Sequence, residues 1–144
     1  MKHAILARRA IGMLAALSAL LAACGGASSE GAVAAPNDVV VTVRVADAEE
    51  YRIRLTDADD IATARKLLAG EIAPAIPNGR VVRGDADVNV GYTWHIDAPS
   101  VEFADTATEV CDGRPSDVEK RVITSDRYCP WSAKVVAIAP AQDR

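Results

Sequence analysis

The chain has 144 residues, of which half are apolar and a quarter are charged. This composition is typical of a folded globular protein and excludes a chain that is disordered throughout. The formal net charge of −4 becomes −7 if the predicted signal peptide is removed, because Lys2, Arg8 and Arg9 leave with it while all 20 acidic residues stay. An acidic chain without a basic stripe is a poor candidate for binding nucleic acid or anionic lipid headgroups.

Residues 1–23 have the pattern of a signal peptide. A positively charged start, Met1–Ala10, precedes an apolar run of twelve residues, Ile11–Ala22. Crossing the hydrocarbon core of a bilayer takes about 20 residues. The run is therefore too short for a transmembrane helix and has the length of a signal-peptide core.

This segment ends in Leu21-Ala22-Ala23-Cys24, which resembles the bacterial lipobox. The resemblance implies that Cys24 becomes the first mature residue, carries a diacylglyceryl group and is often acylated further, for example with palmitate. Two or more acyl chains anchor a protein stably to a membrane. The alternatives are an ordinary signal peptide with a chance cysteine, or a short buried helix. Gly25 favours the outer membrane, in a cell that has one.

The rest of the chain divides into a tether and one domain. Residues 24–37 include the sequence GGASSEGAVAAPN, which is small, polar and Gly-rich like a flexible linker. Residues 38–140 show no internal repeat and no second change in composition. We therefore expect a lipidated tether followed by a single folded domain.

The first half of this domain has clear periodic patterns. Valines alternate with other residues over Val39–Val45, and Tyr51–Leu55 alternates in the same way, which predicts two strands of a hairpin. A helix is predicted over Asp57–Ala69, with Thr56 as its N-cap and Gly70 at its end. The apolar face of this helix comprises Ile61, Ala64, Leu67 and Leu68.

The second half has weaker signals. Pro74, Pro77, Asn78 and Gly79 predict a loop, and a capping box of Ser116 with Glu119 predicts a short second helix. Further strands are predicted over residues 80–83, 88–96, 100–104, 108–111 and 134–138. The elements together predict an α+β fold, in which one main helix packs on a mostly antiparallel sheet, with a short second helix and one disulfide.

The predicted disulfide joins Cys111 and Cys129, because Cys24 is used by the lipid and an exported domain is in an oxidising compartment. The alternative is a redox or metal pair. The spacing is not Cys-x-x-Cys, however, and the sequence offers no further soft ligands.

His95 is the one histidine outside the signal peptide, so any imidazole chemistry depends on it. Asp97 or Glu109 would have to orient it in a hydrolytic triad, but no Gly-x-Ser-x-Gly motif supplies a nucleophile. We assign no catalytic residue and no metal ligand. Three roles stay open: a half-buried structural histidine, a ligand-binding residue, or a metal or catalytic group. Strand alternation predicts that either Trp94 or His95 enters the core while the other faces out.

The acidic segment Asp85–Asn89 superficially resembles a calcium loop. An EF-hand would have Gly at the position of Val90 and Glu at the position of Ile96, so the match fails twice. A looser calcium site and a solvated loop remain the two interpretations of this segment.

An ordered set of motifs resembles a known family. The set comprises Trp94-His95, Asp97, Pro99, Glu109–Pro115, Val118-Glu119 and Tyr128–Trp131. It is similar to a family of small secreted bacterial domains of uncharacterised function, some of which are labelled calmodulin-binding-protein-like after a eukaryotic relative. The resemblance covers most of Val39–Ile138, and Ala98 departs from it by separating Asp97 from Pro99. The mature chain has no basic amphipathic helix of the kind that calmodulin binds, so calmodulin binding is not expected.

The same residues suggest a binding surface. The predicted disulfide would tie Asp112–Pro115 to Pro130-Trp131, with Trp94 and Trp131 packed over it and Arg114 paired with Glu109 or Glu119. Tryptophan and arginine are frequent in binding hot spots. The candidate binding residues are Trp94, His95, Asp97, Arg114 and Trp131.

The sequence therefore predicts a non-enzymatic binding module without a cofactor, anchored in the cell envelope through lipid on Cys24. Its partner would be a protein or a small molecule, not a nucleic acid. The alternatives are an exported hydrolase or metal-dependent enzyme that uses His95, and an inhibitor or regulator of an exported enzyme.

Overall fold

A computed structural model describes residues 38–141. The predicted signal peptide, Cys24 and the predicted tether lie outside these residues. Within them, no helix has the length and apolarity to cross a membrane. The secondary-structure elements in chain order are β1 Val39–Val45, β2 Glu49–Leu55, α1 Ala58–Ala69, β3 Ile76–Arg83, β4 Trp94–Ile96, β5 Glu102–Ala104, α2 Pro115–Glu119, β6 Arg127–Tyr128 and β7 Ala133–Pro140.

The first sheet has three antiparallel strands in the order β2-β1-β7. Its inner face consists of side chains that alternate along β1 and β2, as the sequence predicts, and they are all buried: Val39, Val41, Val43, Val45, Tyr51, Ile53 and Leu55. The turn between β1 and β2 places Ala46 and Asp47 at positive φ, as tight hairpin turns require. The predicted hairpin is confirmed.

Helix α1 packs against β7 and confirms the predicted main helix, but its N-cap is Asp57 rather than Thr56. The reason is geometric, because an N-cap oxygen must reach the amides two and three residues ahead. Asp57 Oδ1 accepts hydrogen bonds from the amides of Asp59 at 2.9 Å and Asp60 at 3.1 Å. Gly70 ends the helix in the left-handed conformation, with φ 69°.

The second sheet is built on β3, which pairs antiparallel with β4, β5 and β6 along successive parts of its length. The predicted loop at Pro77–Gly79 is wrong, because these residues belong to β3. Pro77 is tolerated because this part of β3 pairs with β5 alone. Gly79 is needed because a Cβ there would overlap Cγ2 of Ile96.

Three other strand predictions were too long or wrong. Only Trp94–Ile96 is extended within residues 88–96, and only Glu102–Ala104 within residues 100–104. Residues 109–111 form a turn of 3-10 helix instead of a strand. In the first case Asn89 folds the segment into a loop, because its side chain donates to the carbonyl of Trp94 at 2.9 Å and accepts from the amide of Arg52 at 3.0 Å.

The short helix α2 is confirmed, but the predicted capping box is not. Asp117, not Glu119, accepts a hydrogen bond from the backbone at the start of the helix, where the amide of Arg114 donates at 2.9 Å. Ser116 donates from its amide and hydroxyl to Glu49, and Glu119 accepts from Thr93. The two residues of the predicted box therefore connect α2 to β2 and to the loop before β4.

A cluster of four aromatic rings lies within the core and at its margin. Trp94 contacts Tyr51, Tyr92 and Tyr128, with ring centroids 5.5–5.8 Å apart. Tyr51 and Tyr128 also meet edge to face at 5.2 Å. These rings link β2, β4 and β6, so the cluster joins the two sheets. The structure confirms the α+β class, with antiparallel sheets, one main helix, one short helix and a disulfide.

Candidate functional site

The Cys111–Cys129 disulfide forms, with a Cα–Cα distance of 5.2 Å and a sequence separation of 18. The two segments that it joins run side by side, since the amide of Cys129 donates to the carbonyl of Cys111 at 2.9 Å. We call residues 109–115 and 128–131 the disulfide corner. The predicted disulfide is confirmed.

Polar contacts fix the backbone of the disulfide corner. The amide of Trp131 donates to Asp112 Oδ1 at 2.8 Å, and the hydroxyl of Tyr128 donates to the carbonyl of Gly113 at 3.0 Å. Gly113 has a φ of 146°, and a Cβ there would lie 2.8 Å from Cδ1 of Ile123. Much of the motif Cys-Asp-Gly therefore serves to shape this corner.

A further contact connects helix α2, which begins at Pro115 of the corner, to the first sheet. Glu49 in β2 accepts hydrogen bonds from Ser116, at 2.9 Å from the amide and 3.0 Å from the hydroxyl. Glu49 could not be identified from the sequence, because 67 residues separate it from Ser116 and no local pattern connects them. The disulfide corner is thus supported by a bond network that extends beyond the corner itself.

Trp131 projects from this rigid backbone with 46% of its surface exposed. Val110, beside Cys111 in the other segment of the corner, is also largely exposed. Arg114 is exposed as well. The predicted pairing of Arg114 with Glu109 or Glu119 is wrong: no ion pair of Arg114 exists within residues 38–141, and Glu119 bonds Thr93 instead.

Trp94 is not available to a ligand, because only 1% of its surface is exposed. It packs against three tyrosines, and the predicted packing of Trp94 with Trp131 over the disulfide is not observed. The Nε1–H group of Trp94 has no hydrogen-bond partner in the described part of the chain. The alternation of β4 places this ring in the core and turns the next residue outward.

His95 is half-buried, and its Nδ1 lies 2.7 Å from the carbonyl oxygen of Asp85. A carbonyl only accepts, so Nδ1 carries the proton in this contact. Asp97, the other predicted residue nearby, forms an ion pair with Arg80 at 2.7 Å. The structure therefore gives both residues a contact that stabilises the fold.

The segment Asp85–Asn89 also has structural contacts. Asp85 accepts a hydrogen bond from the amide of Asp87, Asp87 pairs with Arg54 at 3.1 Å, and Asn89 is buried. Across residues 38–141, no group of three or more His, Cys, Asp or Glu side chains is arranged to hold a metal ion.

Three clefts, of about 370, 580 and 400 Å³, lie on the domain. None of the three is lined by a candidate binding residue from the sequence analysis. The largest of these three lies on the outer face of the first sheet and is lined by Arg52, Arg54, Asp87 and smaller side chains. No local pattern in the sequence indicates this cleft, because its residues come from three strands and a loop.

Burial raises the pKa of Tyr51 and Tyr128 well above the usual tyrosine range. The neighbouring Tyr51 ring and Asp112 add to the shift of Tyr128. Burial, followed by the charges of Glu49 and Glu119, also raises the pKa of Tyr92. All three tyrosines of the chain are thus held in the neutral form.

The fold and the disulfide corner define a small α+β domain with one disulfide cross-link. Residues 37–142 match the family described as the BP-74 N-terminal domain, and the chain belongs to this family. Membership in a small domain family is thereby established. No curated protein and no solved structure matches the chain significantly.

Proposed function

We propose that this protein is a non-enzymatic binding module that is tethered to a membrane through lipid on Cys24 and binds a protein partner with the disulfide corner. The observation that carries the proposal is the half-exposed Trp131 on a cross-linked, hydrogen-bonded backbone. A half-exposed tryptophan leaves much of its large apolar surface in contact with water, so the fold lacks the stabilisation that full burial would provide. Binding a partner would recover this stabilisation.

The corner has the properties of a binding hot spot. Association normally loses conformational entropy when backbone and side chains become ordered. The disulfide and the Trp131–Asp112 hydrogen bond order the backbone before binding, so less entropy remains to be lost. Tryptophan and arginine are also the residues most enriched in hot spots, and Arg114 lies on the same corner without an ion pair to any of residues 38–141.

The proposed anchor limits where the domain acts. A flexible chain of the length of residues 24–37 has a root-mean-square span of roughly 20 Å. The start of the domain would then lie within roughly that distance of the membrane, in the cell envelope and preferentially at an outer membrane. The bacterial origin, the signal peptide and the lipid are all part of this proposal.

The binding proposal is tested by isolating partners from native envelope with the tagged full chain as bait. Wild type and Leu68→Ala should recover the same partner, whereas Trp131→Ala should recover at least tenfold less, since hot-spot truncations cost about 2 kcal/mol or more. Leu68 is the matched control because it is apolar and 44% exposed on α1. Equal recovery by all three proteins would refute the proposed surface.

The anchoring proposal has a separate test. Cys24→Ser should release the protein from membranes or leave it as an uncleaved precursor. Mass spectrometry of the wild-type membrane form should find Cys24 acylated. An unmodified Cys24 thiol in that form would contradict the proposal.

A further inference from the structure

The outer face of the first sheet, which points away from the core, has a regular arrangement of side chains. The register aligns three cross-strand rows from β2, β1 and β7: Glu50, Arg44 and Lys134; then Arg52, Thr42 and Ala137; then Arg54, Val40 and Ala139. The first row consists of charged side chains. In the other two rows the cationic side chains lie on β2, and small side chains occupy β1 and β7.

A groove of about 580 Å³ runs over the second and third rows. Its floor consists of short side chains, among them Val40, Ala137 and Ala139. The loop after β3 contributes Asp87, Val88 and Val90 to the lining, and 74% of the surface of Val90 is exposed. The groove thus offers an apolar floor and an apolar wall that nothing within residues 38–141 covers.

Most cations on this face are neutralised by neighbouring carboxylates. Arg44 pairs with Glu50 at 2.7 Å, Lys134 with Asp47 at 3.0 Å, and Arg54 with Asp87 at 3.1 Å and Asp38 at 3.7 Å. Arg52 differs from them, because its guanidinium has no ion pair or hydrogen bond to any residue from 38 to 141. Its backbone amide is held by Asn89, so the position of the residue is fixed.

We infer that this groove binds an extended peptide segment of a partner protein, with one carboxylate of that segment on Arg52 and its small apolar side chains over the floor. A charged hydrogen bond between guanidinium and carboxylate would fix the register. The inference does not depend on the disulfide corner, since the two surfaces share no residue.

The charge and shape of the groove favour such a segment over other occupants. Anionic membranes and nucleic acids are bound by several cooperating cations, whereas Arg52 is the one cation of this face that has no carboxylate partner among residues 38–141. Small-molecule sites bury most of the ligand surface in a concave pocket, whereas this groove is open to solvent along the sheet. A strand-like segment fits an open groove, because alternate side chains can face the floor.

The test uses amide chemical shifts of the purified protein during titration with the peptide acetyl-Ser-Ala-Val-Glu-Val-Ala-Ser-amide. Saturable shifts are expected at Thr42, Val90 and Ala137. The apparent affinity should fall about tenfold when Gln replaces Glu in the peptide. It should fall by the same factor when the protein carries Arg52→Gln, since a charged hydrogen bond contributes about 1.5 kcal/mol or more. Arg44→Gln is the matched control and should bind like wild type, because Arg44 is already paired on the same face.

Val90→Ser provides a second variant at a mostly exposed position and should weaken binding several-fold through the lost apolar contact. Absence of saturable shifts, or equal binding by Arg52→Gln and wild type, would overturn the inference. Two other occupants would overturn it as well. One is a membrane surface, which is indicated if phosphatidylglycerol vesicles shift these amides and the peptide does not. The other is this chain itself, which is indicated if a peptide of residues 28–37 binds more tightly than the seven-residue peptide.

Discussion

Asn89 has no exposed surface, although its side chain is polar. It satisfies the amide of Arg52 and the carbonyl of Trp94, two backbone groups from different strands. A buried polar group that loses its hydrogen-bond partner costs about 1–3 kcal/mol. Asn89 therefore substitutes for strand pairing at this edge of β2.

Asn89→Ala should lower the free energy of unfolding by about 2–4 kcal/mol, because both backbone groups lose their partner. Urea denaturation would measure the change. The neighbouring exposed Val90 is the control, and Val90→Ala should change the stability by about 0.5 kcal/mol or less. A loss of stability below about 1 kcal/mol in Asn89→Ala would show that the side-chain amide of Asn89 does not stabilise the fold.

The raised pKa values of the tyrosines predict how the free energy of unfolding changes at alkaline pH. Their pKa values are raised in the folded state from 10.0, so above that pH the unfolded chain loses protons that the folded chain keeps. Stability should therefore fall as the pH rises above about 10, by about 1.4 kcal/mol per pH unit for each fully buried tyrosine.

Urea midpoints between about pH 8 and 11 would measure this slope in wild type and Tyr51→Phe. The variant should show a shallower fall, because it lacks one of the buried phenols whose pKa is raised. Identical slopes for the two proteins, or a stability that rises with pH, would contradict a raised pKa of Tyr51 in the folded state.

Sequence patterns predict the direction of a side chain better than its role. Alternation predicted that one of Trp94 and His95 enters the core, and Trp94 does. Trp94 and Trp131 were nevertheless both candidates for binding, although only Trp131 is exposed. The difference arises from contacts of Trp94 with Tyr51 and Tyr128, which are distant in sequence.

At the scale of elements, the N-terminus of α1 gives a direct comparison of two capping residues. Asp57→Ala should destabilise the protein by about 1 kcal/mol, since the amides of Asp59 and Asp60 lose their acceptor. Thr56→Ala should cost less, because Thr56 does not cap the helix. Urea denaturation of both variants tests this order, and the reverse order would mean that Thr56 is the true N-cap.

Local sequence predicted the elements that local interactions determine. Strands β1 and β2 and helix α1 have strong periodicity and recognisable ends, and all three were predicted. The interval between β3 and β6 was predicted poorly, because long-range contacts determine it. Examples are the bond of Asn89 to Arg52, the packing of Gly79 on Ile96 and the bond of Ser116 to Glu49.

At the scale of the whole molecule, the disulfide stabilises a domain whose two sheets meet around a small aromatic cluster. Replacing both Cys111 and Cys129 with Ser should lower the free energy of unfolding by about 3 kcal/mol, as expected for a closed loop of this size. Urea denaturation with and without dithiothreitol would measure the effect. Dithiothreitol should destabilise wild type and leave the double variant unchanged, and a wild type insensitive to reduction would contradict the prediction.

The distribution of charge over the molecule was not evident from its composition. The chain is acidic as a whole, yet the outer face of the first sheet brings together Arg44, Arg52, Arg54 and Lys134. These four residues lie on three strands, and only the register of the sheet brings them together. Net charge therefore describes the chain as a whole but gives no indication of this local surface.

The proposed function depends on a contact between Trp131 of the disulfide corner and a protein partner. Site-specific photo-crosslinking tests it most directly, with p-benzoylphenylalanine in place of Trp131 in the full chain and, as a control, in place of Leu68. Illumination in native envelope should give one discrete adduct from Trp131 and none of the same mass from Leu68. No adduct from the Trp131 position, or the same adducts from both positions, would contradict the claim.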